Sequence, residues 1–206
     1  MIAFISGGAR SGKSTCAEML ARRWHNERGG KRYYLATASR GAENGDRVED
    51  KDKDKERDHE MRARIARHRQ GRGEGWITLE EPVELLAALD DVEPGGTLLL
   101  DCLTLWASQW LYSRSPSTSP LSSRSLDESQ GFAMIEQLLT QARQQDIALV
   151  IVSNDLNEGM PPDADEVWRY LAFLQRVHCL VAREADEVVQ VIAGLPQLWK
   201  AQGDTP

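Results

Sequence analysis

Apolar positions along the chain fall into two patterns. Short continuous runs read as strands buried on both faces: Ile2-Ala3-Phe4-Ile5, Tyr33-Tyr34-Leu35-Ala36-Thr37, Thr97-Leu98-Leu99-Leu100-Asp101, Ile147-Ala148-Leu149-Val150-Ile151-Val152-Ser153 and residues 188–193. Trp76-Ile77-Thr78-Leu79 reads as a further short strand. Between these runs, apolar residues recur at helical spacing. Residues 14–28 place Ala17, Leu20, Ala21 and Trp24 on one face, and residues 59–69 suggest a helix ending before Gly71. Pro82, at a first helical position, precedes an amphipathic segment over 83–89. Residues 103–112 carry Trp106 and Trp110 at i and i+4, and residues 127–145 and 165–184 complete the helical set. Strands alternating with helices predict an α/β domain with a mostly parallel sheet and helices on both faces.

The pattern breaks in five places. Residues 40–58 hold almost no apolar residue and alternate in charge through Asp50-Lys51-Asp52-Lys53-Asp54-Lys55, which reads as a solvated, mobile insertion in preference to a functional acidic site. Residues 113–125 are a Ser- and Pro-rich loop, Pro94-Gly95-Gly96 and Gly159-Met160-Pro161-Pro162 are turns, and Gly194-Leu195-Pro196 opens a tail.

Length and charge narrow the function classes. At 206 residues the chain is one domain, 1–206. No apolar run approaches the roughly 20 residues of a membrane span, and no signal peptide is apparent, so a cytoplasmic protein without membrane insertion is expected. Cys16, Cys102 and Cys179 lie far apart without C-x-x-C spacing, which predicts reduced thiols and neither a zinc site nor a disulfide framework. A net charge of -7 argues against nucleic acid as a partner and favours small-molecule substrates.

One stretch carries specific chemistry. Gly7-Gly8-Ala9-Arg10-Ser11-Gly12-Lys13-Ser14 fits G-x-x-x-x-G-K-S/T between a predicted strand and a predicted helix, the arrangement of a phosphate-binding P-loop. Its glycines let successive N–H groups turn toward phosphate oxygens, Lys13 adds charge, and Ser14 supplies a ligand for Mg2+. Asp101, ending the apolar run over 97–101, is placed either to hold magnesium beside the nucleotide or to cap the following helix. His68 shares a helix face with Met61 and Ile65 at i, i+4 and i+7, among Arg62, Arg64, Arg67, Arg69 and Arg72. It is either a satisfied structural histidine or one that works on phosphate, and the surrounding arginines weigh toward the second.

Together these segments resemble a known family. The phosphate loop, the strand ending Ala36-Thr37, Met61-Arg62-Ala63-Arg64-Ile65 with His68, and Trp76-x-Thr78-x-Glu80-Glu81-Pro82 are similar, in that order, to the bifunctional adenosylcobinamide kinase / adenosylcobinamide-phosphate guanylyltransferase family of cobalamin biosynthesis. So are Leu100-Asp101-Cys102-Leu103-Thr104-Leu105-Trp106, Val152-Ser153-Asn154 and Ala185-Asp186-Glu187-Val188. The resemblance implies a P-loop NTPase-type fold and two reactions. In one, adenosylcobinamide is phosphorylated from GTP or ATP. In the other, GMP passes from GTP to adenosylcobinamide phosphate through a GMP-histidine intermediate, with His68 as the histidine. It also implies Mg2+ at Ser14 and Asp101, a catalytic Lys13, nucleotide contacts from Ala36, Thr37, Ala38, Arg69, Gln70, Gly71, Arg72 and Glu80, and a homo-oligomer, in the family a trimer. The chain departs from the family pattern where Tyr170-Leu171-Ala172 replaces Phe-Arg-Asp and where His178 stands for an Asn. Beside the bifunctional enzyme stand a kinase that has lost guanylyl transfer or uses another acceptor, and a non-catalytic nucleotide-binding regulator.

Overall fold

Alternation along each strand separates two cores. The computed structural model describes residues 1–38, 74–112, 127–156, 159–201 and 203. Its elements are β1 (Ile2–Gly7), α1 (Lys13–Arg28), β2 (Arg32–Ala36), β3 (Trp76–Glu80), α2 (Leu85–Asp90), β4 (Thr97–Asp101), α3 (Leu103–Tyr112), α4 (Glu128–Gln144), β5 (Ala148–Asn154), α5 (Asp165–Glu184), β6 (Glu187–Ile192) and β7 (Leu195–Lys200). The helix expected over 59–69, the charged segment 40–58 and the Ser/Pro loop lie outside the described residues.

The strands form one sheet in the order β3-β2-β4-β5-β1-β6-β7, parallel throughout except for β7 against β6. Ile2, Phe4, Leu98, Leu100, Leu149 and Ile151 point to one face, where α2, α3, α4 and α5 bury Leu89, Trp106, Leu138 and Phe173. Ala3, Ile5, Tyr34, Leu99, Val150 and Val152 point to the other, covered by α1 through Ala17, Leu20, Ala21 and Trp24. Period-two alternation sends neighbouring residues to opposite faces, so a continuous apolar run is what a strand covered on both sides requires.

Two elements differ from expectation. Pro82 does not begin α2; Glu81 Oε1 accepts the N–H groups of Val83 and Glu84, each at 3.0 Å, and the helix starts at Leu85. The expected tail is a strand. Ala193 and Gly194 both have positive φ, 49° and 83°, giving the two-residue turn whose twist suits an antiparallel hairpin, and Pro196 is tolerated because β7 is an edge strand.

Trp106 is fully buried, tilted against Trp110 and Phe173 with centroids 5.7 and 5.9 Å away, and its Nε1 donates to Val83 O at 3.0 Å. Trp106→Ala is expected to cost about 3–5 kcal/mol of stability, measured by urea unfolding of the variant against wild type.

Candidate active site

In parallel sheets ligands gather outside the carboxyl ends of the strands. Here the register aligns that edge: Glu80 and Asp101 both pair with Ala36, and Asn154 pairs with Gly7. With strands spaced about 4.8 Å apart, Glu80 and Gly7 stand four spacings apart, about 19 Å. An extended nucleoside triphosphate fits along such an edge.

The phosphate loop occupies the β1–α1 connection. Ser11 N–H donates to Gly8 O at 3.2 Å, closing a tight turn, and Arg10 and Gly12 take left-handed backbone, φ 60° and 92°. Such alternation turns consecutive N–H groups into one concavity, an anion nest. Close approach requires Gly7, where a Cβ would meet Val191 O at 2.5 Å and Ser11 Oγ at 2.6 Å, whereas Gly12 is required by its left-handed φ, a Cβ there reaching Gly194 at a contact distance of 3.4 Å. The hairpin turn thereby backs the loop, and Gly194 N–H donates to Ser11 O at 2.8 Å.

The electrostatics favour an anion. Helix α1 has no acidic residue in its first turn and no side-chain cap on Gly12, so no carboxylate offsets its positive N-terminal end. Lys13 is only 8% exposed, and its Nζ lies across the loop, donating to Gly8 O at 3.1 Å. Ser11 Oγ is buried without a hydrogen-bond partner among the described residues. A buried ammonium and an orphan hydroxyl at a concavity of N–H groups are features that a bound phosphate would satisfy.

Asp101 ends β4 and accepts from Tyr34 OH on Oδ2 at 3.1 Å. Burial, and then the Asp101 charge, push the neighbouring Cys102 thiol up to about 11, while the positive charge of Lys13 acts the other way. A thiol held so high stays protonated and is not a nucleophile at neutral pH. Thr37 is fully buried, and its hydroxyl donates to Cys102 O at 2.8 Å while accepting from Cys102 N–H at 2.9 Å. Its side chain is spent on holding the Asp101–Cys102 segment against the end of β2. The Thr37 carbonyl accepts from Gln109 Nε2 of α3.

Of the residues singled out in the sequence, the edge brings together Gly7, Gly8, Ala9, Arg10, Ser11, Gly12, Lys13, Ser14, Ala36, Thr37, Ala38, Glu80 and Asp101. His68, Arg69, Gln70, Gly71 and Arg72 lie outside the described residues. Asp186 lies at the opposite edge, where it accepts from Ile2 N–H at 2.7 Å and pairs with Arg143 at 3.1 Å, so its part is to hold the fold. Tyr34, Gln109 and the hairpin turn were not marked by any sequence pattern. Tyr34 reads as one more apolar strand residue, and Gln109 reaches Thr37 from 72 positions away.

Comparison with known proteins shows the family. Residues 3–198 match the family described as cobinamide kinase / cobinamide phosphate guanyltransferase. The chain is 35% identical over 199 residues to the bifunctional adenosylcobalamin biosynthesis protein CobP of Pseudomonas aeruginosa, covering 96% of each chain. It is 28% identical to the protein of the same description, CobU, of Escherichia coli, over 95% of this chain and 97% of that one. Among solved structures, the KaiC-like protein PH0186 of Pyrococcus horikoshii aligns at 12% identity and a TM-score of 0.44, covering 92% of this chain and 69% of that one. The family match runs along nearly the whole chain: it belongs to the cobinamide kinase / cobinamide phosphate guanyltransferase family and is a bifunctional kinase and nucleotidyltransferase of adenosylcobalamin biosynthesis.

Proposed function

We propose that a single nucleotide pocket on the carboxyl edge of the sheet serves both transfers, with triphosphate on the loop over 7–14 and guanine toward Glu80. The observation that carries this is the buried Lys13 ammonium lying across the phosphate loop at an uncapped helix start. In the kinase step the hydroxyl oxygen of adenosylcobinamide attacks the γ-phosphorus of the bound nucleotide. The bond to the β-phosphate oxygen breaks, the nucleoside diphosphate leaves, and the hydroxyl proton passes to solvent. Lys13 and the loop N–H groups bear the charge that spreads over the transferring oxygens.

In the second step an imidazole nitrogen of His68 attacks the α-phosphorus of GTP and pyrophosphate departs. A phosphate oxygen of adenosylcobinamide phosphate then displaces the imidazole to give adenosylcobinamide-GDP. Near neutral pH a histidine with an ordinary pKa is largely unprotonated, and the covalent intermediate divides one hard transfer into two easier ones. Family membership and the arginines around His68 support this assignment.

Ser14 and Asp101 fit magnesium by donor chemistry, a hydroxyl and a carboxylate of the hard-oxygen kind that leaves the remaining positions to phosphates and water. When bound, the ion would neutralise phosphate charge. Among the described residues no helix is long and apolar enough to cross a membrane. A cytoplasmic location belongs to the proposal. A homo-oligomer, a trimer as the resemblance implies, belongs to the same proposal.

Glu80 is the residue proposed to select the base, because guanine presents N1–H and N2–H donors to a carboxylate and adenine does not. Wild type should move γ-label from GTP to adenosylcobinamide, and in Glu80→Gln unlabelled ATP should compete about tenfold better, the scale of one charge-assisted hydrogen bond. Absence of label on the corrinoid with wild type would contradict the shared pocket. An unchanged competition would remove Glu80 from it.

A further inference from the structure

Outside the phosphate loop, buried polar side chains converge where β5 ends and α3 begins. Ser153 is fully buried, Thr104 nearly so, and their hydroxyl oxygens lie 3.0 Å apart. His178, from the second half of α5, brings Nε2 within 2.7 Å of Ser153 Oγ, its ring tilted on Phe4 at a centroid distance of 5.3 Å. The Asn154 N–H donates to Thr104 Oγ1 at 2.7 Å. Burial lowers the His178 pKa to about 4, with Asp155 the one charge opposing it, so the ring is neutral near pH 7.

Thr104 Oγ1 accepts from Asn154 N–H, and the hydrogens can then run in two orders. In one, the Thr104 hydroxyl donates to Ser153 Oγ and the Ser153 hydroxyl to Nε2, with the ring proton on Nδ1; in the other, Nε2–H donates to Ser153 Oγ, Ser153 to Thr104, and Thr104 to the Cys102 thiol. In either order the chain ends on the imidazole.

Its other end is the active-site edge. Asn154 pairs with Gly7, and Asp155 N–H donates to Gly7 O at 2.9 Å, at the first residue of the phosphate loop. Thr104 follows Asp101-Cys102-Leu103 without interruption and also offers its carbonyl to Tyr170 OH of α5 at 2.9 Å. Helix α5 therefore grips, with two side chains one stripe apart, the point that ties the Asp101 strand to the strand beside the phosphate loop.

We propose that His178 is a positioning residue for both transfers, its ring closing a hydrogen-bond chain through Ser153 and Thr104 that fixes the spacing between Asp101 and the phosphate loop. This rests on the shared pocket proposed above. An imidazole that only filled space would affect folding and leave the folded enzyme unaltered. A positioning imidazole changes the turnover of molecules that are fully folded, because small displacements of catalytic groups cost rate steeply.

His178→Phe keeps a ring and removes the hydrogen-bonding nitrogen, whereas His178→Gln carries an amide to the region of Nε2. At a temperature where circular dichroism shows each variant folded, His178→Phe should lower kcat for phosphorylation of adenosylcobinamide about tenfold and raise the magnesium concentration for half-maximal rate about fivefold. GTP binding measured without acceptor should stay within about threefold, and His178→Gln should recover most of the lost kcat. If the Phe variant does not fold, Ser153→Ala, which cuts the middle link, carries the same expectation. A folded Phe or Ala variant within twofold of wild type in kcat and magnesium dependence overturns the inference, as does a Gln variant no better than Phe. In both cases an active wild type leaves the shared pocket standing. A wild type that binds GTP and transfers nothing overturns both.

Discussion

Lys13→Ala is expected to abolish both activities together, lowering phosphoryl transfer to adenosylcobinamide by about 10³-fold and removing guanylyl transfer to the same degree. The expectation follows from where the side chain sits. Lys13 is buried at the start of α1, and its Nζ is already held on Gly8 O across the phosphate loop. Removing it leaves the transferring phosphoryl group without the one ammonium built into the loop. Because one pocket is proposed to hold the triphosphate for both steps, the losses should move in parallel. Rates with γ-labelled and α-labelled GTP, measured on the same preparation, check this. A variant that lost one activity and kept the other would show that the steps use separate nucleotide sites.

His68→Ala should separate what Lys13→Ala joins. Guanylyl transfer should fall by roughly 10⁴-fold or more, as happens when a covalent nucleophile is deleted, while phosphorylation of adenosylcobinamide stays within a few fold of wild type. The kinase step as proposed uses the loop and no imidazole from position 68. Parallel loss of both would make His68 part of triphosphate binding and not the group that carries GMP.

How much of this was legible in the chain depended on whether a feature was local. The phosphate loop is eight consecutive residues between a strand and a helix, and Asp101 stands at the end of five residues with one pattern, so each carried its own signal. The two-faced sheet was legible for the same reason, because continuous apolar runs separated by amphipathic segments have few other solutions. Strand order was not, since β5 enters between β4 and β1 through pairings that span the whole chain. Strand β7 was hidden because Leu195, Leu198 and Trp199 remain 60–70% exposed, so no alternation of buried and solvent positions marks it.

The supports of the site were equally hidden. Thr37 acts on Cys102 from 65 positions away, and His178, Ser153 and Thr104 meet from three separate elements. None has a spacing that a linear reading could weigh. Tyr170 and His178, two positions at which the chain departs from the family pattern, both turn out to place a polar group on the same α3–β5 junction.

The central claim, that one loop-bound GTP is attacked at its innermost phosphorus by His68, is tested most directly by incubating the protein with magnesium and α-labelled GTP and examining the protein itself for label. Wild type should acquire acid-labile, alkali-stable label, and His68→Ala and Lys13→Ala should acquire none. Label on the His68→Ala protein at the wild-type level would contradict the account.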